Sequence, residues 1–202
     1  MEFLKDPFSD IYFSIYSLTM LCTWNVMWSL FADDGVFWLS DFSFDRLVFR
    51  LNLFLKELLN WLYSNKLYPN SSKTFLMLFT NRIVHNLPSV YLENDLLQWT
   101  NNIKYLGVII DNKLNFNLQL HHIHNKISKS SGIIYRLKTF LPKSLLLKIY
   151  NSLFYPYLIQ NIIIWGGVST NKLNPIQIQM NKTLRHILNV CFDINHRPLM
   201  PI

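Results

Sequence analysis

From about Asn115 onward, the apolar residues of this 202-residue chain recur at helical spacing. Before that point, strand-like alternation surrounds one helical stretch. A chain patterned this way folds as α+β, with small strands first and helices after. The spacing predicts helices over residues 117–138, 143–164 and 173–189. Pro142 and the pair Gly166-Gly167, followed by Ser169-Thr170-Asn171, punctuate them. On the first of these helices, Ile123, Ile127, Ile134 and Leu137 form the core side.

The earlier part holds a hairpin signal at residues 28–40. Trp28, Leu30 and Ala32 alternate with Ser29 and Phe31, and Val36, Phe37, Trp38 and Leu39 carry the chain away. Asp34-Gly35 between two apolar runs predicts the tight turn. A helix follows over residues 45–65, with Ser43 or Asp41 as its cap. Leu47, Leu51, Phe54, Leu55, Leu58 and Leu62 share one face. Pro69-Asn70-Ser71-Ser72 is a turn. Residues 73–80 read as a strand, residues 90–92 as a short β segment, and residues 103–110 as a buried strand. Gly107 inside the last permits a close backbone approach or a bulge. Residues 1–27 read as extended or helical core.

Half the residues are apolar, so the chain can bury a core of one or two domains. Cys22 and Cys191 are far apart, have no metal-binding spacing and point to a reducing compartment, or at least to no disulfide framework. The net charge of +7 is unevenly placed: residues 1–100 balance to −3 and residues 101–202 to +10. A basic half beside an acidic half carrying an Asp pair suits a polyanion held near a metal; a basic surface kept for solubility is the plainer alternative. Residues 11–32 and 149–171 are uncharged and reach the roughly 20 residues that a spanning helix needs. Polar residues interrupt both, so both read as buried core, with a small membrane-anchored protein through residues 11–32 as an alternative. No signal-peptide pattern is present.

Two adjacent carboxylates, Asp33 and Asp34, at a hairpin tip can hold a divalent cation, which would relieve their mutual repulsion. A decorated β-turn is the alternative. His121, His122 and His124, with Cys191 and His196, fit no usual zinc spacing. They read as a histidine cluster on a nucleic-acid-binding surface, without zinc.

The order of these segments resembles that of a known family. Phe31-Ala32-Asp33-Asp34 is similar to the carboxylate box of reverse transcriptases. Trp61-Leu62-Tyr63-Ser64-Asn65-Lys66-Leu67-Tyr68-Pro69-Asn70-Ser71-Ser72-Lys73-Thr74 resembles the next box, and Lys104-Tyr105-Leu106-Gly107-Val108-Ile109-Ile110-Asp111 the one after it. Trp165-Gly166 and a basic helix through Lys182 and Arg185 also match. Together, over roughly residues 28–190, they resemble a non-LTR (LINE-type, jockey-like) retrotransposon reverse transcriptase.

The resemblance implies an α+β chain: a partial polymerase palm over residues 1–112 (Asp-Asp β-hairpin, helix, small antiparallel sheet), then an all-α thumb-like helical bundle over 113–190. Residues 191–202 would begin a truncated C-terminal segment. It implies RNA-directed DNA polymerisation by two-metal nucleotidyl transfer. Asp33 and Asp34 would be metal ligands and catalytic, for Mg²⁺ or Mn²⁺ in the complete polymerase site. Lys73 would act near the nucleotide triphosphate, and Lys104-Tyr105-Leu106-Gly107 would support the primer end. Lys104, Lys126, Lys129, Arg136, Lys138, Lys143, Lys182 and Arg185 would contact nucleic-acid phosphates. The implied partners are an RNA template, a DNA primer and deoxynucleoside triphosphates, in the cytoplasm or nucleus. The family's further catalytic Asp and a glycine-containing nucleotide segment find no match upstream of Asp33. The expectation is therefore an incomplete fragment, inactive alone, or a decayed element that retains only non-specific nucleic-acid binding by its basic helices.

Overall fold

A computed structural model describes residues 26–31, 34–81 and 84–189. Contacts divide the chain into two compact units, Met1–Leu76 with Ile83–Trp99 and Met77–Arg82 with Thr100–Ile202. Mixed helices and small sheets make it α+β, as the sequence implied. In place of one small sheet, however, the described residues form four separate two-stranded pieces, one of them parallel.

In the first unit, β1 (Met27–Phe31) and β2 (Asp34–Trp38) form the expected antiparallel hairpin. The register pairs Phe31 with Asp34 and Leu30 with Gly35. Asp34 and Gly35 are thus strand residues, which corrects the reading of Asp-Gly as the turn. β1 also occupies the end of the run at residues 11–32, so a membrane helix cannot extend through residues 27–31; residues 11–25 lie outside the described residues. Among the described residues, no helix is long and apolar enough to cross a membrane.

Helix α1 (Phe44–Ser64) matches its predicted span within one residue at each end. Its stripe buries Phe54, Leu55 and Leu58 against Val26, Val90, Leu92 and Leu97. Phe37 of β2 meets Phe54 with ring centroids 5.2 Å apart. Ser43 occupies the N-cap position but makes no side-chain cap. Asp41 instead accepts the Ser43 N–H at 3.3 Å and pairs with Arg50 at 3.1 Å and Arg46 at 3.4 Å. The charge tether fixes the chain's entry into the helix.

The strand expected over 73–80 shrinks to β3 (Phe75–Leu76). A strand extends only as far as a partner satisfies its backbone groups. β3 runs parallel to the equally short β6 (Gln98–Trp99), and Met77–Arg82 falls in the second unit. Between them, β4 (Tyr91–Leu92) and β5 (Asp95–Leu96) form a small hairpin, with β4 where a short β segment was expected.

The second unit opens with a ribbon, β7 (Asn102–Tyr105) and β8 (Val108–Asp111). The predicted single strand over 103–110 is therefore a hairpin. Leu106 (φ 45°) and Gly107 (φ 85°) both take positive φ, as a two-residue turn between right-handed strands favours. Leu106, expected in the core, is exposed at the tip, whereas Val108 is fully buried.

Helices α2 (Asn117–Leu137) and α6 (Thr170–Leu188) pack together. The expected helix 143–164 is broken into α3 (Lys143–Ile149), a π-helical turn (Tyr150–Phe154), α4 (Tyr155–Ile159) and α5 (Ile162–Trp165). Pro156 supplies no backbone donor, and Asn161 at φ 54° ends the helical path. Ile123, Ile127, Ile134, Phe154, Trp165, Ile176 and Ile187 form the core, with Leu137 packed at its edge. Residues 149–171 are only partly core: Phe154, Leu158 and Trp165 are buried, but Ile163 is 95% exposed.

Candidate nucleic-acid interface

The residues expected to act in catalysis fall in the first unit and those expected to contact phosphates in the second. Asp34 is exposed at the first pair of the β1–β2 ladder. Asp33 lies outside the described residues. Lys73 is exposed at the end of a 3₁₀ turn, Ser71–Lys73. Asn70 O accepts both the Lys73 N–H (3.1 Å) and the Thr74 hydroxyl (2.8 Å), and the Ser71 hydroxyl donates to Asp95. The turn that presents Lys73 is thus fastened on both sides. Among the described residues, no three His, Cys, Asp or Glu side chains gather where they could hold a metal ion. Asp34 is of the carboxylate type that Mg²⁺ takes, but the described residues do not compose a metal site by themselves.

The basic residues belong to the second unit. Its described residues hold a single carboxylate, Asp111. Oδ2 of Asp111 accepts the Phe116 N–H at 2.6 Å, and Oδ1 accepts those of Lys113 and Asn115 at 3.1 and 3.0 Å. Burial pushes the carboxyl pKa up, but these three N–H groups and nearby Lys172 outweigh it and hold it below the ordinary value. The acid is therefore spent on the turn leading into α2. Lys113 and Lys172 are also engaged internally, donating to Thr80 O at 2.5 Å and Asn115 O at 3.1 Å.

The remaining described cations lie along α2, α3, α6 and the ribbon. Lys129 and Arg136 are exposed on the face of α2 turned away from Ile123, Ile127 and Ile134, and Lys126 is exposed on the flank of that buried stripe. Lys104, on β7, is opposite Ile109 in the ribbon, and the Ile109 N–H donates to Gln119 Oε1 of α2 at 2.9 Å. This bond is available because residues 104 and 109 form a non-hydrogen-bonded pair, which turns the Ile109 N–H outward. His122, one turn beyond Gln119, has a lowered pKa, through burial first and then the charges of Lys126 and Lys104. The Lys126 ammonium also stands 5.9 Å from the Tyr157 ring centre.

A second cluster lies toward the C-terminal ends of α2 and α6. Tyr135 and His186 meet edge to face at 4.8 Å, and the Lys138 ammonium lies 4.4 Å from the Tyr135 ring centre. Burial, then Lys138, then Lys182, lowers the His186 pKa. Of the eight basic residues named from sequence, the structure gathers Lys104 with Lys126, and Lys138 with Lys182. Lys129, Arg136 and Lys143 remain separate exposed charges, and Arg185 is half-buried. Sequence reading missed Tyr135, Tyr157 and His186. Their i,i+3 and i,i+4 spacings to lysines (Tyr135 to Lys138, Lys182 to His186) were visible, but the pairing of α2 with α6 was not. Among the other histidines, His121 Nδ1 is 3.2 Å from Asn125 Nδ2, and Cys191 and His196 lie outside the described residues.

Two curated relatives match most of the chain. It is 28% identical over 176 residues to the RNA-directed DNA polymerase from mobile element jockey of Drosophila funebris, covering 85% of this chain and 19% of the relative. It is 27% identical over 167 residues to the protein of the same name from Drosophila melanogaster, covering 81% of this chain and 18% of the relative. The chain thus spans about a fifth of the length of the curated relatives it matches. No family model and no solved structure matches it. The resemblance to a jockey-like reverse transcriptase drawn from its sequence boxes is borne out by these relatives.

Proposed function

We propose that this chain supplies the carboxylate hairpin of the palm and the duplex-gripping helices of an RNA-directed DNA polymerase of the non-LTR retrotransposon type. In that reading Asp33 and Asp34 are ligands of a divalent metal, Mg²⁺ or Mn²⁺, in the assembled polymerase site. When bound, the metal would activate the primer hydroxyl and neutralise the leaving pyrophosphate. Lys73, presented on its fastened turn, would face the triphosphate. The partners are an RNA template, a DNA primer and deoxynucleoside triphosphates.

The function that the chain carries by itself is nucleic-acid binding by its second unit. One observation supports this most directly. The single described carboxylate of that unit is consumed by backbone N–H groups, so no described acid offsets its exposed lysines. Such a surface binds phosphates through counterion release, without regard to sequence.

The test is a titration of the purified chain with duplex and single-stranded nucleic acid across salt concentrations. Affinity should fall linearly on a log–log plot. Lys126→Ala and Lys129→Ala should each weaken binding and reduce the slope by about 1. Affinity that ignores salt would overturn the binding reading. Primer extension by this chain alone, abolished by Asp33→Ala, would overturn the assignment of binding as its independent activity.

A further inference from the structure

In the cluster around Tyr135 and His186 a histidine ring packs directly on an aromatic ring. Two helices contribute to it, α2 through Tyr135 and Lys138 and α6 through Lys182 and His186. The His186 ring is half-buried and fixed edge to face on Tyr135, and Tyr135 is held in turn beneath the Lys138 ammonium. The ring therefore has a set orientation instead of sweeping through solvent. Tyr135 remains about half exposed, which leaves ring surface for a base or sugar. An imidazole packed on a tyrosine ring, with the Lys138 ammonium over that ring and the exposed Lys182 one helical turn before the histidine, is suited to a nucleic-acid phosphate with an adjoining nucleoside.

We propose that Tyr135, Lys138, Lys182 and His186 form a phosphate-binding site for nucleic acid in which His186 takes up a proton from solvent as the phosphate binds. This rests on the nucleic-acid-binding reading above and assigns it a particular site and a pH dependence. In the free chain, burial and the two lysine charges disfavour the imidazolium. A phosphate between the lysines offsets their charge and accepts a hydrogen bond from the protonated ring, so binding raises the His186 pKa. The charged groups near the ring are Lys138 on α2, Lys182 and the adjacent Arg185 on α6. Helix α3, which also packs on α6, carries Lys143 and Lys148, both exposed.

The sign follows from this order of pKa values. Above the bound-state pKa the ring is neutral in both states and contributes nothing. As pH falls through the interval between bound and free values, affinity rises by up to about tenfold for each unit separating them. Below the free value it levels off. The experiment is binding of a labelled oligonucleotide by the full chain at fixed salt between about pH 5 and pH 8. NMR titration of the His186 ring with and without the oligonucleotide accompanies it. The proposal requires affinity to rise toward acid, His186→Gln to flatten that rise, and the ring pKa to move up on binding. His85→Gln, at an exposed position of the first unit, should leave the rise in place. Lys182→Gln, at an exposed position, should raise the free-state pKa of His186 and reduce the salt slope. A pH dependence unchanged in His186→Gln, or a ring pKa unmoved by the oligonucleotide, overturns this site while leaving salt-dependent binding standing. Absence of binding at every pH overturns both this site and the reading on which it rests.

Discussion

Asp111 and Phe116 are joined by a 2.6 Å hydrogen bond from the Phe116 N–H to Oδ2, and this bond closes the turn between the β7–β8 ribbon and helix α2. Phe116 starts the helix from a left-handed conformation and provides no side-chain cap. Asp111 supplies the missing acceptor, with its charge placed at the positive end of the helix. Replacing Asp111 by Ala should cost about 2 kcal/mol, and by Asn about 1 kcal/mol, because the amide keeps one acceptor oxygen. The pKa of Asp111 is lowered in the folded chain. Its charged-state stabilisation is therefore complete above the unfolded value, about 3.9, and is lost as pH falls through the lower folded value. Denaturant titrations should show the gap between the wild-type chain and Asp111→Asn at neutral pH narrowing below about pH 4. A gap that persists unchanged in acid would remove the carboxylate from this role.

Gly107 lies at the ribbon tip with φ 85°, and a Cβ there would come within 2.9 Å of Gln160 Nε2. The neighbouring Asn161 side chain donates to Leu106 O at 3.2 Å. Two costs of adding a side chain can be separated. The contacted atom is the far end of a flexible chain, which can move, whereas the backbone angle cannot change without opening the turn. Gly107→Ala should lose about 1 kcal/mol, chiefly through φ. Gln160→Ala in the same chain should recover little of it, and Gly107→Asn should be milder than Ala, since Asn tolerates positive φ. Urea unfolding of the three variants decides the matter. Full rescue by Gln160→Ala would make the cost steric.

Gly107 also shows where the sequence was legible and where it was not. Its type announced a close approach or a bulge, and the close approach is real. Its place in an apolar run concealed a turn, because Leu106 looked like a core residue on either reading. Helices α1 and α2 were readable to within one residue, since their stripes are long and uninterrupted. The run at 143–164 was not, because periodicity averages over the break that Pro156 and Asn161 impose. The lysines of the candidate interface were visible individually. Their partners Tyr135 and His186 depend on how α2 meets α6, which no local pattern encodes.

Tyr150 is buried, stacks on Phe154 at 4.8 Å, and its hydroxyl finds no hydrogen-bond partner among the described residues. Burial, with Tyr155 nearby, pushes its pKa up to about 12. The neutral phenol is the form that the fold accepts. Stability from this group is complete below the unfolded value, about 10, and falls as pH rises through the folded one. Tyr150→Phe removes an unsatisfied polar group and keeps the stacked ring. It should raise stability by about 1 kcal/mol at neutral pH. It should also remove the share of alkaline destabilisation that arises between about pH 10 and pH 12. Thermal melts across that range test both, and a destabilised variant would imply that the hydroxyl has a partner after all.

Thr183 of α6 is fully buried, with its Oγ1 2.9 Å from Ser131 Oγ of α2 and 2.8 Å from Gln179 O. One hydroxyl carries one proton. Donation to Gln179 O leaves Thr183 Oγ1 as acceptor for Ser131, so the two helices share a buried polar link. Thr183→Val preserves the shape and leaves the Ser131 hydroxyl to find another acceptor, at about 1 kcal/mol. Ser131→Ala should cost a similar amount. The double variant should cost less than the sum by about 0.5–1 kcal/mol, because replacing both partners leaves no polar atom stranded. Strictly additive losses would show that the hydroxyls are satisfied independently by carbonyls of their own helices, and that apolar packing alone joins α2 to α6.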